Sequence, residues 1–308
     1  ELNTLPSSAV IIGAGAVALE FASLWNAAGC EVTLLIRKDR VLSTWERRAS
    51  MTLTRELKRR GVNVIARTAV DRVDTGANLG ATVHYRQGDS DEDRTAYGEV
   101  VLAAIGRVPN TDADWFRSSG LKLDERGYVT VDGYGRTNLD GVWALGDITP
   151  GHALAHRAFE QGITIAEKIA GADPKPVIDD TVPQVVFSFP EAASVGLTLD
   201  QAKALEDVVE PKETAYPMLS NARMLMSGEG GSMTVVSGAF ANNPDMQVVL
   251  GVHIVSPIAS DLIAEAEQLV GNRVPLADAA RLIHPHPTFS ETLGEALLKA
   301  DGRPLHTR

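Results

Sequence analysis

An α/β fold is what this sequence predicts, on three observations. A short apolar strand runs straight into a glycine-rich turn and a helix. Apolar strands and amphipathic helices then alternate up to residue 105, in the βαβ manner. The last stretch, 181–308, changes to strands and helices that read as an antiparallel sheet with an α+β core.

Element by element, residues 8–12 form the first strand and Gly13 to Ala16 the turn. Residues 17–28 carry Leu19, Phe21, Leu24 and Trp25 at helical spacing. Residues 31–36 are a second apolar strand and 50–60 a second amphipathic helix. After Val62-Asn63-Val64-Ile65, the stretches 70–73, 82–86 and 99–105 read as strands, and the polar run 88–93 as a solvated turn. Residues 106–180 are richer in Gly, Pro and Asp and predict short strands, a helix from about His156 to Ile169, and a linker at Pro174 and Pro176. Beyond them, 184–188, 233–237 and 248–255 read as strands, and 260–270, 276–283 and 290–299 as helices. Three domains follow: 1–105, 106–180 and 181–308.

The bulk numbers exclude several classes. At 308 residues, 44% apolar and 22% charged, the chain is long enough for about two domains and has no apolar run that spans a bilayer. Its first residues lack the basic and apolar regions of a secretory signal. A net charge of −11 argues against nucleic acid as a partner, since phosphate binding requires clustered Lys and Arg. Cys30 is the single cysteine, which excludes an intrachain disulfide framework and suits the cytoplasm. It reads as a buried apolar filler. No metal site is expected.

Gly13-Ala14-Gly15-Ala16-Val17-Ala18 has the spacing G-x-G-x-x-A between a strand and a helix. Gly13 permits the tight turn, Gly15 lets the backbone approach a pyrophosphate, and Ala18 allows close helix–strand packing. The helix N-terminus, from Ala16 and Val17, presents free N–H groups to the phosphates. The end of the second strand bears on which dinucleotide binds. A carboxylate there would accept from the adenosine ribose 2′-OH, whereas cations would hold a 2′-phosphate. Here the acidic position is apolar and Arg37 and Lys38 follow Ile36 directly, so the sequence leans to NADP(H) over NAD(H).

Further on, Thr137 to Asp147 ends an apolar stretch in Gly146-Asp147, presenting a carboxylate at a strand's carboxyl edge. Together with Gly106-Arg107-Val108-Pro109-Asn110, Leu154-Ala155-His156-Arg157-Ala158 and His284-Pro285-His286-Pro287-Thr288-Phe289-Ser290-Glu291, these motifs resemble the pyridine-nucleotide flavoprotein disulfide reductases. The likeness covers essentially the whole chain, with the motifs in the family's order. It is nearest to the branch that oxidises dihydrolipoamide, and residues 294–298 and 302–306 fit the bacterial members of that branch.

The resemblance implies roles. Gly146 and Asp147 would meet the FAD ribityl chain, and the backbone of Leu154, Ala155 and His156 the flavin ring. Glu20 would lie near the flavin, paired with a lysine from a preceding segment. Gly106 and Arg107 would border the nicotinamide. Residues 106–180 would be the last segment of the FAD domain and 181–308 the dimerisation domain of a homodimer. The family's first FAD half-domain, with its redox-active cysteine pair, would precede residue 1, so this chain alone is expected to be inactive. The partner would be the lipoyl domain of a 2-oxo acid dehydrogenase complex. Arg37, Lys38 and Ala18 instead resemble the NADPH-using reductases of small disulfides.

His286 and Glu291 are the residues expected to carry acid–base chemistry. A dithiol attacks a disulfide only as the thiolate. Histidine can hold the released proton near neutral pH, and a carboxylate on its other nitrogen fixes the tautomer. In the family this motif faces the cysteine pair of the other subunit. The His286–Pro287 bond is a candidate for cis, and His284 is expected to be structural.

Overall fold

The computed structural model of the protein describes residues 4–75 and 80–307. Glu1 to Asn3, part of the start read for a leader, lie outside the described residues. The chain divides into two compact units: residues 1–105 together with 183–308, and residues 106–182.

The first unit opens with β1 (Ser8–Ile12), α1 (Ala16–Ala27), β2 (Glu31–Ile36), α2 (Arg47–Arg59) and β3 (Asn63–Ala66). An antiparallel meander follows: β4 (Thr68–Thr75), β5 (Ala81–Gln87) and β6 (Arg94–Gly98). The chain then returns as β7 (Val100–Ala103) to complete a parallel sheet of order β3-β2-β1-β7. Successive residues of β1 point to opposite faces. Ala9 and Ile11 pack under α1 and α2 with Leu19, Ala22 and Leu53, while Val10 packs with Val83 and Tyr85 of the meander. Burial on both faces is why this strand is apolar from Ala9 to Ile12.

Two sequence expectations change here. The strand paired with 81–87 across the polar turn is Arg94–Gly98, and 100–103 belongs to the other sheet. The polar composition of Arg94 to Gly98, largely exposed at the meander edge, conceals a strand from any hydrophobicity reading. Helix α2 starts at Arg47 rather than residue 50, because the Glu46 carboxylate accepts the free amides of Arg48 (2.6 Å) and Ala49 (2.7 Å) and caps it.

The second unit contains α3 (Asp114–Ser118) and α4 (Ala155–Ile169) around a small core of Phe116, Val129 and Ala144. Its Asp and Gly content is spent on turns: Asp124 accepts from the amides of Arg126 and Tyr128, and Asp132 from those of Tyr134 and Arg136. The apolar stretch ending at Gly146-Asp147 is extended but is not a ladder strand. Among the described residues only an isolated bridge joins Trp143 to Arg136. Extended backbone becomes a strand only where a neighbour supplies hydrogen bonds along its length.

Residues 183–307 contribute β8 (Gln184–Val186), β9 (Glu191–Gly196), α5 (Leu199–Ala204), β10 (Val208–Pro217), α6 (Ala222–Ser227), β11 (Ser232–Phe240), β12 (Asn243–Ser256), α7 (Ala259–Gly271), α8 (Leu276–Ala279) and α9 (Glu291–Ala300). The sheet is antiparallel throughout, in the order β10-β11-β12-β9-β8. Met233, Val235 and Ile254 meet Leu262, Ile263, Leu293 and Leu297 in the largest core. Helix α8 is shorter than the expected 276–283. The chain ahead of Pro285 and Pro287 leaves helical geometry, consistent with the restriction proline places on its predecessor. Salt bridges Arg48–Glu213 and Arg60–Glu229 tie α2 to this second half of the unit.

Candidate active site

The glycine turn is shaped by two different constraints. Gly13 sits at φ +140°, a region that L side chains rarely adopt, and a Cβ there would lie 2.2 Å from the Ala104 carbonyl oxygen. Gly15 has ordinary extended backbone, and a Cβ on it would meet nothing within 4 Å. It is the N-cap of α1 and no side chain caps the helix. Ala18 is fully buried, and Ala16 is packed against the same core. The turn therefore offers uncapped amides and a positive helix end beside open space, which fits the pyrophosphate of a dinucleotide. The loop after β2 folds back over it, with the Leu42 amide donating to the Ala14 carbonyl (2.9 Å). This brings the exposed Arg37 and Lys38 to the same carboxyl edge of the sheet, while Ile36 is fully buried beneath them.

Glu20, one turn further along α1, accepts the amide of Phe187 (3.0 Å), and Ser23 accepts that of Phe189 (3.0 Å). These contacts join α1 to the start of the 183–308 segment.

In the second unit, the Gly146-Asp147 turn rests on α4. The Gly146 amide donates to Gln161 Oε1 (2.9 Å), and a Cβ on Gly146 would contact Ala158. Asp147 is exposed and pairs with Arg107 at 3.3 Å. Leu154 is the N-cap of α4, and its own side chain makes no capping hydrogen bond to the first turn, which begins at Ala155 and His156. Gly106 stands at φ +147° with open space where a Cβ would project. A carboxylate for hydroxyl groups and an uncapped helix start in one unit suit the ribityl and ring portions of a flavin.

The third cluster is the loop ahead of α9. His286 Nδ1 lies 2.8 Å from Glu291 Oε1, and the Thr288 amide donates to Glu291 Oε2 at 2.7 Å. Burial alone would raise the Glu291 carboxyl, but the Thr288 amide and the His286 ring outweigh it and hold the carboxyl below its ordinary value. An ionised carboxylate can only accept, so Nδ1 carries the proton and Nε2 is left with its lone pair. The His286 side chain is 72% exposed and its Nε2 is directed away from this partner. The His286–Pro287 bond is cis. His284 differs: its side chain is 9% exposed, Nε2 meets Glu265 of α7 at 2.9 Å, and a Cβ on Gly294 would reach its Nδ1. The Glu265 contact raises the His284 pKa above its ordinary value, against burial.

Sequence reasoning missed Thr288 and Asn221. Thr288 had a signal, since Thr288-x-x-Glu291 is capping-box spacing at the start of α9. Asn221, whose amide donates to the Thr288 carbonyl (3.0 Å), is distant in sequence and had none.

A strand–glycine turn–helix unit, a second helix start in a unit that also presents a carboxylate, and an imidazole–carboxylate pair ahead of α9 are the three features that bear on function. The pyridine nucleotide-disulphide oxidoreductase model matches residues 1–162 and the dimerisation-domain model of the same family matches residues 182–297. The chain belongs to the pyridine nucleotide-disulphide oxidoreductases, whose membership implies FAD and NAD(P) as cofactors. It is 37% identical to a dihydrolipoyl dehydrogenase of Cupriavidus necator and 35% identical to one of Geobacillus stearothermophilus, covering 99% of this chain and 63% of each relative. The chain thus spans about 63% of the length of these curated relatives. Among solved structures, LpdA from Mycobacterium tuberculosis superposes with a TM-score of 0.85 at 29% identity, over 97% of this chain and 62% of that one. The HOCl-induced flavoprotein disulfide reductase RclA from Escherichia coli shares the fold, at a TM-score of 0.82 and 24% identity over 96% of this chain and 65% of that one. No helix among the described residues is long and apolar enough to cross a membrane.

Proposed function

We propose that this chain supplies the nicotinamide-nucleotide site, part of the flavin site and the acid–base pair of a dihydrolipoyl dehydrogenase that works as a homodimer. The reaction is oxidation of dihydrolipoamide carried by a lipoyl domain. The observation that carries the reading is the exposed His286 ring, fixed through Nδ1 by the Glu291 carboxylate with Nε2 open. His286 Nε2 takes the proton of a substrate thiol, and the thiolate attacks one sulfur of a cysteine disulfide while the other sulfur leaves as a thiolate. Glu291 keeps the tautomer and favours the imidazolium that forms. That disulfide comes from outside these 308 residues, in which buried Cys30 is the sole cysteine.

FAD, when bound, relays the electron pair to the nicotinamide. The chain's own residues position that chemistry. The Gly13–Ala18 turn would bind the pyrophosphate of the nicotinamide nucleotide, Asp147 would accept from ribityl hydroxyls, the backbone of Leu154, Ala155 and His156 would hold the flavin, and Glu20, Gly106 and Arg107 would line the cofactor sites. The domain reading is 1–105 for the nicotinamide nucleotide, 106–180 for the flavin and 181–308 for dimerisation, in a cytoplasmic enzyme.

A second reading, an NADPH-dependent reductase of a low-molecular-weight disulfide, is favoured by Arg37 and Lys38 beyond the apolar Ile36. Steady-state rates of the cysteine-bearing enzyme with lipoamide and with small thiol disulfides, each with NADH and NADPH, separate the two. Equal or faster turnover of a small disulfide would remove the lipoamide assignment. The 308-residue chain by itself is expected to bind nucleotide and to show no lipoamide turnover.

A further inference from the structure

Strands β2 and β3 are parallel neighbours with Ile36 opposite Ala66 as their last register pair. The next residues are Arg37 and Arg67, so two arginines leave adjacent strands side by side, with backbones about 5 Å apart at the sheet's carboxyl edge. The corner carrying Arg67 is stitched to the end of β2. The buried Thr68 hydroxyl donates to the Ile36 carbonyl (3.1 Å), and the Arg67 amide donates to the Lys38 carbonyl (3.0 Å). The Arg67 carbonyl in turn accepts the Gly88 amide (2.8 Å), so its backbone is held from both sides.

That backbone stands at φ +57°. Glycine would adopt this conformation without cost, whereas an L residue is strained there. A long cation is kept where the smallest residue would fold more easily. The Arg67 side chain is exposed, as are Arg37 and Lys38. Among the described residues none of the three meets a carboxylate, since Asp39 is held by Arg40 (2.9 Å) and Asp91 by Arg86 (3.7 Å). Three cations that meet no carboxylate among the described residues follow one edge of the sheet in a chain whose net charge is −11, the edge that also carries the turn that fits a pyrophosphate.

We propose that Arg67 is a specificity-determining residue that joins Arg37 and Lys38 in holding the 2′-phosphate of a bound NADP(H). This rests on the reading that the Gly13–Ala18 turn binds a nicotinamide dinucleotide and that the edge of β2 favours its phosphorylated form. With the pyrophosphate on the glycine turn, the ribose 2′ position would fall at the end of β2, where a guanidinium from the neighbouring end of β3 would join Arg37 and Lys38 in holding a phosphate. Arginine suits that place because its planar fork pairs two phosphate oxygens.

The test is equilibrium binding of NADPH and of NADH, by fluorescence titration of the full 308-residue chain at two salt concentrations. Arg67→Gly removes the charge and suits the left-handed backbone, so it leaves the fold intact. It is expected to weaken NADPH binding by about five- to tenfold, leave NADH binding unchanged and flatten the salt dependence for NADPH alone. Arg67→Lys is expected to keep most of the affinity. The double variant Arg37→Ala/Lys38→Ala is the control for the underlying reading. Should Arg67→Gly change both coenzymes equally or neither, while the double variant still lowers the NADPH-to-NADH preference, the role of Arg67 is wrong and the NADP(H) reading stands. Should no variant move that preference, the NADP(H) reading falls with it.

Discussion

The glycine turn after β1 and the imidazole loop before α9 are built in opposite ways. The turn presents backbone: its N-cap Gly15 supplies no side-chain cap, and its shape is set by a glycine that no other residue replaces without meeting the Ala104 carbonyl. The loop acts with side chains: His286 is positioned by Glu291, Glu291 by the Thr288 amide, and the Thr288 carbonyl by Asn221 from another element. On the proposed function, binding and folding are coupled at the turn, and chemistry and folding are separable at the loop. A backbone site cannot be altered without altering the fold, whereas an exposed side chain can be removed at little cost in stability.

The sharpest way to break this contrast is His286→Gln in the cysteine-bearing enzyme. Dihydrolipoamide oxidation is expected to fall by about 10²–10⁴-fold, the usual contribution of a positioned acid–base group, with a stability change within about 0.5 kcal/mol. Turnover near the wild-type rate would remove His286 from the chemistry, and a large loss of stability would remove the separability. Gly13→Ala should behave in the reverse sense, destabilising by on the order of 3 kcal/mol through strain and overlap with Ala104, and abolishing nucleotide binding along with it. Urea unfolding combined with nucleotide titration checks both parts.

Gly15→Ala then sharpens the comparison within the turn. No atom obstructs its Cβ and its backbone is ordinary, so stability should be unchanged within about 0.5 kcal/mol. The methyl group projects where the pyrophosphate approaches, and affinity should drop by about tenfold. Unchanged affinity in a titration would place the phosphates elsewhere.

The smallest effect concerns His284, the imidazole two residues from His286. Its folded-state pKa is raised by Glu265, so the pair contributes stability that is fully present below the unfolded value near 6.5 and is lost as pH rises through the folded value. Glu265→Gln should cost on the order of 1 kcal/mol at pH 6 and progressively less at higher pH, read from urea midpoints between pH 6 and 9. A difference that grows with pH would contradict the assignment. A loss of turnover as large as that of His286→Gln would show that exposure does not distinguish the two histidines.

Much of this architecture is legible in the chain itself, and what is legible is local. The strand at residues 8–12, the glycine spacing and the helix after it follow from nearest-neighbour constraints: apolar run, positive φ, uncapped amide. The observed boundaries of β1 and β2 match those expected from the apolar runs. The start of α2 is less legible, because Glu46 is a cap only once its amides are in place. The edge strand β6 and the one-sided extended stretch before Asp147 were misread for a common reason. Whether extended backbone becomes a strand depends on what lies beside it, and hydrophobicity along the chain does not encode the neighbour.

The sequence by itself determined the types of group available and their local spacing: a turn of Gly13, Gly15 and Ala18, cations after Ile36, an imidazole and a carboxylate five residues apart. Tertiary structure decided their environment. It exposed His286 while burying His284 against α7, tied Glu20 to the residue after β8, some 167 residues away, and set Arg67 beside Arg37 at the ends of two neighbouring strands. Spacing is a property of covalent geometry and short-range sterics, whereas exposure, charge partners and protonation depend on which distant segments pack together.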